Sequence, residues 1–234
     1  MEESTGNAPT LKEEMRNLAK KRVSEISREF TEGFELLEDY PKSVTFFGST
    51  QVESGSFYYK DARALAARIV KELGHSVITG GGPGIMEAAN RGARDADGVS
   101  IGLTIELPLG QITNKYIDKE MRFYYFFTRK VCLAFSAEAF IFYPGGFGTL
   151  DEFFELITLI QTRKLEGVPL ICVGSEYWNK LKDFMKVKML VRGAIAMSDL
   201  GSFAITDDHD TIMKIIRRMP IRTGVPLNRH SSQD

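Results

Sequence analysis

The sequence predicts an α/β protein with one Rossmann-like, doubly wound domain: a mainly parallel sheet of about seven strands with helices on both faces, plus an N-terminal helical extension. Short, continuously apolar runs alternate with longer helical segments, as in buried parallel strands joined by crossover helices. Three of these runs end in glycine-bearing turns. The composition, 43% hydrophobic and 26% charged over 234 residues, suits one globular domain of this size.

The N-terminal extension is expected to span residues 1–40. Residues 1–9 are polar and predict a disordered lead. From Leu11 to Leu37, apolar residues recur every three or four positions among many charges, which predicts an amphipathic helical segment. Gly33 is a candidate break that would divide this segment into two helices. Packing on the core and packing on a partner subunit both stay open as its role.

The Rossmann-like core is expected to span residues 41–219. Strands are predicted where aliphatic and aromatic residues run together, at residues 43–47, 76–79, 99–104, 121–127, 139–143, 169–173 and 203–206. Helices are predicted where the helical spacing returns, at residues 61–73, 85–94, 129–136, 150–162, 177–190 and 208–219. Gly74 closes the first of these helices. The polar tail, residues 220–234, is expected to be flexible.

Charge and composition exclude several classes of function. The net charge of −1 argues against general binding of nucleic acid or of an anionic membrane. Cys132 and Cys172 lie in apolar runs and predict buried, reduced thiols. The three histidines are scattered, so the sequence predicts no metal site. A secretory signal and a long apolar span are both missing from the pattern, and a cytoplasmic location is therefore expected.

Three glycine-bearing turns, at residues 48–50, 80–84 and 145–149, are expected at the carboxyl ends of strands, where ligands bind in such sheets. The last two lead into helices, whose first N–H groups and positive dipole end attract phosphate. Two such cradles fit one nucleoside monophosphate. The alternative is that the glycines only permit tight packing. Ile85 stands where a dinucleotide fingerprint needs glycine, and no Walker loop occurs.

Two carboxylates, Asp151 and Glu152, are expected in the first turn of the helix that follows residues 145–149. One interpretation is that they only complement the helix dipole. The other is that Glu152 projects into the site, where the dipole keeps it ionised at neutral pH. An ionised carboxylate suits the oxocarbenium-like transition state of glycosidic cleavage.

A basic pair, Arg129 and Lys130, follows an aromatic run at the start of a predicted helix, where positive charge opposes the dipole. A solvated or dimer-facing pair is one explanation. The alternative is that Arg129 faces the ligand, orients Glu152 and contacts the phosphate or the leaving base, with Lys130 beside it. Because arginine stays protonated, it is a poor proton donor.

At these residues the chain resembles the LONELY GUY family, which also carries the label "lysine decarboxylase-like". The motif P-G-G-x-G-T-x-x-E is met in full by residues 144–152, and the earlier G-G-G motif is met within residues 79–84. The resemblance covers roughly residues 42–195. Phe126 replaces the methionine of the family's M-x-x-R-K motif, and this and the long extension are similar to the larger branch of the family.

The resemblance implies hydrolysis of a cytokinin riboside 5′-monophosphate, or of a purine monophosphate such as AMP, to the free base and ribose 5-phosphate. It implies no cofactor, no metal and a homo-oligomer, dimer or hexamer. It assigns catalysis to Arg129 and Glu152. The expected substrate contacts are Ser49, Gly81, Gly82, Glu87, Lys130, Gly145, Gly146, Gly148 and Thr149. The chain has no lysine in a context that suggests a pyridoxal phosphate Schiff base, so lysine decarboxylation is rejected.

Two other functions stay open. The same fold is compatible with a protein that binds a nucleotide or a pterin-type cofactor without cutting it, which would not need Glu152. The other function is that of a regulatory protein that binds a partner through its N-terminal helices, within residues 11–38.

Overall fold

The computed structural model describes residues 10–108, 110, 112–135 and 137–220. Its strands are β1 Ser43–Phe47, β2 Ser76–Thr79, β3 Ser100–Ile105, β4 Lys119–Phe123, β5 Ala137–Phe142, β6 Leu170–Cys172 and β7 Phe203–Ile205. Its α-helices are α1 Leu11–Glu38, α2 Phe57–Leu73, α3 Ile85–Asp95, α4 Phe126–Phe135, α5 Phe147–Gln161, α6 Ser175–Phe184 and α7 His209–Arg217. The predicted lead and all of the predicted tail beyond Pro220 lie outside the described residues.

The seven strands form one parallel sheet in the order β4-β3-β2-β1-β5-β6-β7. The chain starts in the middle at β1, runs outward to β4, then crosses back and continues from β5 to β7. The direction of winding therefore reverses between β1 and β5, where Phe47 lies beside Phe142 at the carboxyl ends of the strands. This is the switch point at which doubly wound sheets bind ligands.

Helices cover both faces of the sheet, which confirms the predicted fold class. One core layer forms where α2, α3 and α7 pack on the sheet, and the other where α1, α4, α5 and α6 pack on the opposite face. Every residue of β1, β3 and β5 is buried, because both faces of these strands are covered. This explains why their sequences are continuously apolar rather than alternating.

Within the N-terminal extension, Leu11–Glu38 form one continuous helix, so the candidate break at Gly33 was wrong. A capping box between Thr10 and Glu13 starts α1. Gly33 is buried in the helix, and a Cβ atom there would lie 2.7 Å from Cys132 Sγ on α4. The glycine therefore allows α1 and α4 to approach each other closely.

Two helices begin three residues earlier than predicted. α4 begins at Phe126 rather than residue 129, and β4 ends at Phe123 rather than residue 127. α5 begins at Phe147 rather than residue 150, so Gly148 and Thr149 belong to its first turn. Aromatic residues and glycines are poor guides to a helix start, and at α4 tertiary contacts decide where it begins. Within the described residues, no helix has the length and apolar character needed to cross a bilayer.

Candidate active site

A cavity of about 390 Å³ opens at the carboxyl ends of β1 and β5, at the switch point of the sheet. The turn after β1, the end of β2 and the N-terminal parts of α3, α4 and α5 surround it. Its lining consists of Phe47, Gly48, Ser49, Thr50, Gln51, Gly80, Met86, Phe126, Arg129, Gly146, Phe147, Gly148, Thr149, Asp151 and Glu152. Arg129 and Glu152, distant in sequence, thus share one cavity with the start of α5.

The start of α5 is the part of the cavity best suited to an anion. Side chains of Thr10, Ser56 and Asp208 cap three other helices, whereas α5 begins after Gly146, which has no side chain to do so. The first N–H groups of a helix lack acceptors within the helix and carry its positive dipole end. A Cβ atom at Gly146 or Gly148 would meet nothing within 4 Å, so internal packing does not require either glycine.

The neighbouring residues of this loop have internal contacts. The Tyr177 hydroxyl donates to the Gly145 carbonyl at 2.8 Å. A Cβ atom at Gly145 would lie 2.1 Å from Thr149 Oγ1, so this glycine is needed for packing against Thr149. Thr149 lines the cavity and is largely buried, whereas Gly145 lies just outside the lining.

Ser49 lies where three loops meet beside α5. Its N–H donates to the Pro144 carbonyl at 3.1 Å, and its own carbonyl accepts from Ile85 N at 3.1 Å. Its hydroxyl oxygen accepts from Gln51 N at 3.0 Å, which leaves the hydroxyl proton for a further acceptor. Because hydrogen bonds hold both its N–H and its carbonyl, the backbone of Ser49 is fixed where its side chain lines the cavity.

The second predicted phosphate cradle, residues 80–84, uses several of its polar groups in internal hydrogen bonds. The Gly81 N–H donates to Thr79 Oγ1 at 2.9 Å, and the Asn114 amide donates to the carbonyls of Gly81 and Gly82. Gly81 and Gly82 lie outside the cavity lining, and only Gly80 of the triplet faces the cavity. For Gly81 the geometry favours the packing interpretation, because both its N–H and its carbonyl already have partners. For Gly82 the carbonyl is bonded in the same way.

Glu87 lies in a separate cavity of about 400 Å³, beyond the turn formed by Thr50 and Gln51. Its carboxylate accepts a hydrogen bond from the Tyr59 hydroxyl at 2.8 Å. The structure therefore does not bring Glu87 to the cavity that holds Arg129. Its predicted role as a sugar or phosphate contact has no support in this geometry.

Arg129 is held by two backbone carbonyls, one in β3 and one directly after β2. Its Nε donates to the Leu103 carbonyl at 2.7 Å, and Nη2 donates to the Gly80 carbonyl at 3.4 Å. Burial lowers the pKa of the guanidinium, and the nearby charge of Glu152 opposes that effect. Arginine starts from so high a pKa that it remains a cation at neutral pH.

Glu152 is not kept fully ionised by the helix dipole, so that expectation was wrong. It is the sixth residue of α5 and belongs to the second turn, away from the positive end. Burial raises the pKa of its carboxyl to about 7, against the opposing charges of Lys130 and Arg129. Asp151, also expected in the first turn, is the fifth residue of the helix. Glu152 therefore titrates near neutrality.

Lys130 pairs with carboxylates of α5. Its ammonium pairs with Asp151 at 3.0 Å and with Glu155, and the side chain is only 15% exposed. Lys130 lies outside the cavity lining and influences Glu152 through its charge. The structure therefore does not place Lys130 where it was predicted to contact substrate.

Several lining residues escaped the sequence interpretation. Thr50 lies within the predicted turn at residues 48–50, and Gln51 and Met86 lie just beyond glycine turns, but nothing in the pattern distinguished their side chains. Phe126 and Phe147 line the cavity and are 55% and 94% exposed, which places two aromatic rings at its mouth. Both stand inside recognised motifs, Phe126 in M-x-x-R-K and Phe147 in P-G-G-x-G-T-x-x-E, which is the signal that could have found them. Among the described residues, no group of three or more potential metal-ligating side chains is present.

The fold and cavity define a doubly wound α/β protein with an open cavity at its switch point. A family model described as "Possible lysine decarboxylase" matches residues 86–216, more than half of the chain. The chain belongs to this family, the LONELY GUY family.

Two curated relatives carry the name cytokinin riboside 5′-monophosphate phosphoribohydrolase. The one from Rhodococcoides fascians is 26% identical over 185 residues, covering 76% of this chain and 90% of the relative. One from Arabidopsis thaliana is 32% identical over 153 residues, covering 62% of this chain and 67% of the relative. Among solved structures, a molybdenum cofactor binding protein from Rippkaea orientalis matches with a TM-score of 0.54. It is 19% identical, covers 75% of this chain and 93% of its own, and shows a shared fold alone.

Proposed function

We propose that this protein hydrolyses the N-glycosidic bond of a purine or cytokinin nucleoside 5′-monophosphate to the free base and ribose 5-phosphate. The observation that carries the proposal is the convergence of Arg129 and Glu152 in one cavity with the glycine-bearing start of α5. The names of the curated relatives support the same reaction.

In this proposal the 5′-phosphate binds at the start of α5. The N–H groups of Phe147, Gly148 and Thr149 are the acceptor-free donors of the first turn, and the Thr149 and Ser49 hydroxyls lie on the same lining. The open space beside Gly146 and Gly148 leaves room for phosphate oxygens close to the backbone. A nucleoside without the phosphate would lose this anchor.

Glu152 and Arg129 act at the sugar–base linkage. The C1′–N bond breaks as positive charge develops on the ribose ring, and the ionised Glu152 stabilises that charge. Glu152 also takes a proton as water oxygen bonds to C1′, a role that suits a carboxyl with a pKa of about 7. Arg129, fixed by two backbone carbonyls, binds the leaving base, which takes a proton from solvent, and Glu152 afterwards releases the proton that it took from the attacking water. The net reaction consumes one water.

The direct test is to incubate the protein with AMP and with isopentenyladenosine monophosphate and to assay the free base. We expect base release from at least one nucleotide and none from the matching nucleosides. Glu152→Ala should lose turnover while nucleotide binding survives. The reaction is excluded if folded wild-type protein releases no base from any nucleoside monophosphate tested. A protein that only binds nucleotides would bind AMP without releasing base, and Glu152→Ala would change nothing measurable.

We also propose a homo-oligomer built on a dimer. Large apolar side chains are exposed along the first half of α1, at Leu11, Met15 and Leu18, and Phe126 and Phe127 are half exposed at the start of α4. Apolar side chains that are exposed in a single subunit would be removed from water if they packed against a second subunit.

A further inference from the structure

Glu29 is a fully buried carboxylate on α1 that faces the start of α4. The backbone N–H of Tyr124 donates to one of its oxygens, and the N–H of Tyr125 donates to the other at 3.4 Å. The Thr128 hydroxyl reaches the second oxygen as well. The carboxylate therefore accepts hydrogen bonds from two backbone N–H groups just before α4 and from one side chain in its first turn.

Glu29 therefore caps α4 although it lies on a different helix, far away in the sequence. Tyr124 lies 95 residues after Glu29. A negative charge at a helix N-terminus is favoured by the dipole, and hydrogen bonds to a carboxylate are stronger than neutral ones. The N-terminal extension thus contributes to the helix that carries Arg129.

Packing fixes Glu29 in this position. One turn further along α1, Gly33 lies against Cys132 of α4. The Phe34 and Phe135 rings lie 4.3 Å apart between centroids, and Phe30 packs edge-on against Phe127 at 6.5 Å. The two helices therefore form one packed unit around the carboxylate.

The contacts of Glu29 also set the direction of Arg129. Thr128 precedes Arg129, and the Arg129 N–H donates to the Tyr125 carbonyl at 3.3 Å. Successive residues of a helix point about 100° apart, so holding the Thr128 side chain toward α1 fixes the rotation of this turn. Arg129 then points away from α1, toward the carbonyls of Leu103 and Gly80.

We propose that Glu29 is a positioning residue, through which the N-terminal extension holds Arg129 in the active site. The inference rests on the proposed function for its kinetic consequence, but not for its structural one. It assigns the extension a part in catalysis although α1 lies outside the cavity lining.

The test compares Glu29→Ala, which removes the acceptors, with Glu29→Gln, which keeps one acceptor oxygen without the charge. The matched control is Glu25→Gln, one turn earlier on the same helix, where an exposed carboxylate pairs with Arg28. In the full-length protein, Glu29→Ala should lower kcat about 100-fold because a small displacement of a reacting group is costly. KM should change less than about threefold, since the phosphate anchor on α5 is untouched. Glu29→Gln should fall between, and Glu25→Gln should match wild type.

A second readout does not depend on activity. The Nε–H proton of Arg129, assigned by its loss in Arg129→Lys, should exchange with solvent faster in Glu29→Ala than in wild type or Glu25→Gln. The inference is overturned if kcat and this exchange rate are unchanged in folded Glu29→Ala, or if kcat falls while the exchange rate stays fixed. Should Glu29→Ala fail to fold, Glu29→Gln decides by the same two measurements. A wild-type protein that releases no base removes the proposed function, and the exchange rate still decides the positioning.

Discussion

At the scale of single residues, Arg129 and Glu152 carry opposite charges in a site where burial disfavours the charged form of each. Burial lowers the pKa of Arg129 and raises that of Glu152 to about 7, and each charge partly relieves the other. A carboxyl that titrates near neutrality is useful to a reaction that alternates proton uptake and release. The same property makes its ionised form a cost to the folded state.

Glu152→Gln should therefore stabilise the protein at high pH while it abolishes turnover. Because the folded pKa of Glu152 lies above its unfolded value, the carboxyl favours folding below about pH 4.5, and that advantage is lost as the pH rises through about 7. We expect the glutamine variant to be more stable than wild type by about 1–3 kcal/mol at pH 8, with the difference vanishing near pH 4. Urea unfolding at both pH values measures this. Glu166→Gln, which removes an exposed carboxylate, serves as the control, and a pH-independent difference would contradict the prediction.

At the scale of elements, the start of α5 lacks a stabilising side-chain cap, and this leaves its first N–H groups open for the proposed phosphate. A residue such as Ser or Asp at the N-cap would satisfy one of the free donors, yet glycine stands there. Gly146 has φ −92° and ψ −154°, a conformation open to any residue, and an added Cβ would meet nothing within 4 Å. Neither the backbone conformation nor packing requires glycine at this position, which supports the proposed phosphate site.

Gly146→Asp should accordingly raise stability and weaken substrate binding. The new carboxylate would cap α5, worth about 0.5–1 kcal/mol, and would repel a phosphate from the same N–H groups. We expect a higher Tm and a KM for the nucleotide raised by about tenfold or more. Gly201→Ala, at another glycine with open space around its Cβ position, should leave KM unchanged. An unaltered KM in Gly146→Asp would mean that the phosphate binds elsewhere.

At the scale of the whole molecule, α1 has two parts with different surroundings. Its second half packs on α4 through Glu29 and Gly33, whereas residues 11–24 are exposed on all sides. Leu11, Met15 and Leu18 are 73%, 64% and 51% exposed. A helix that leaves such residues in solvent is expected to pack against a second subunit.

A chain that begins at Ser24 should therefore keep its fold but lose subunits. Full-length protein should have a mass in solution of at least twice 26.3 kDa, and the shortened chain should approach the mass of a single copy. Light scattering measures both. Replacing Leu11, Met15 and Leu18 together by serine should reproduce the loss without shortening the chain. An unchanged mass in both variants would show that other surfaces hold the assembly.

Apolar runs and glycine turns sufficed to predict the order of the seven strands along the chain and the two-faced sheet, because these follow from local spacing. Local spacing did not reveal that Gly33 lies inside a helix, that α4 and α5 begin three residues early, or that the N–H of Gly81 is already bonded. It also misjudged Glu152, whose ionisation depends on how much water its neighbours exclude. These features arise from contacts between distant segments, such as Glu29 with Tyr124, and burial and pairing exist only once the chain has folded.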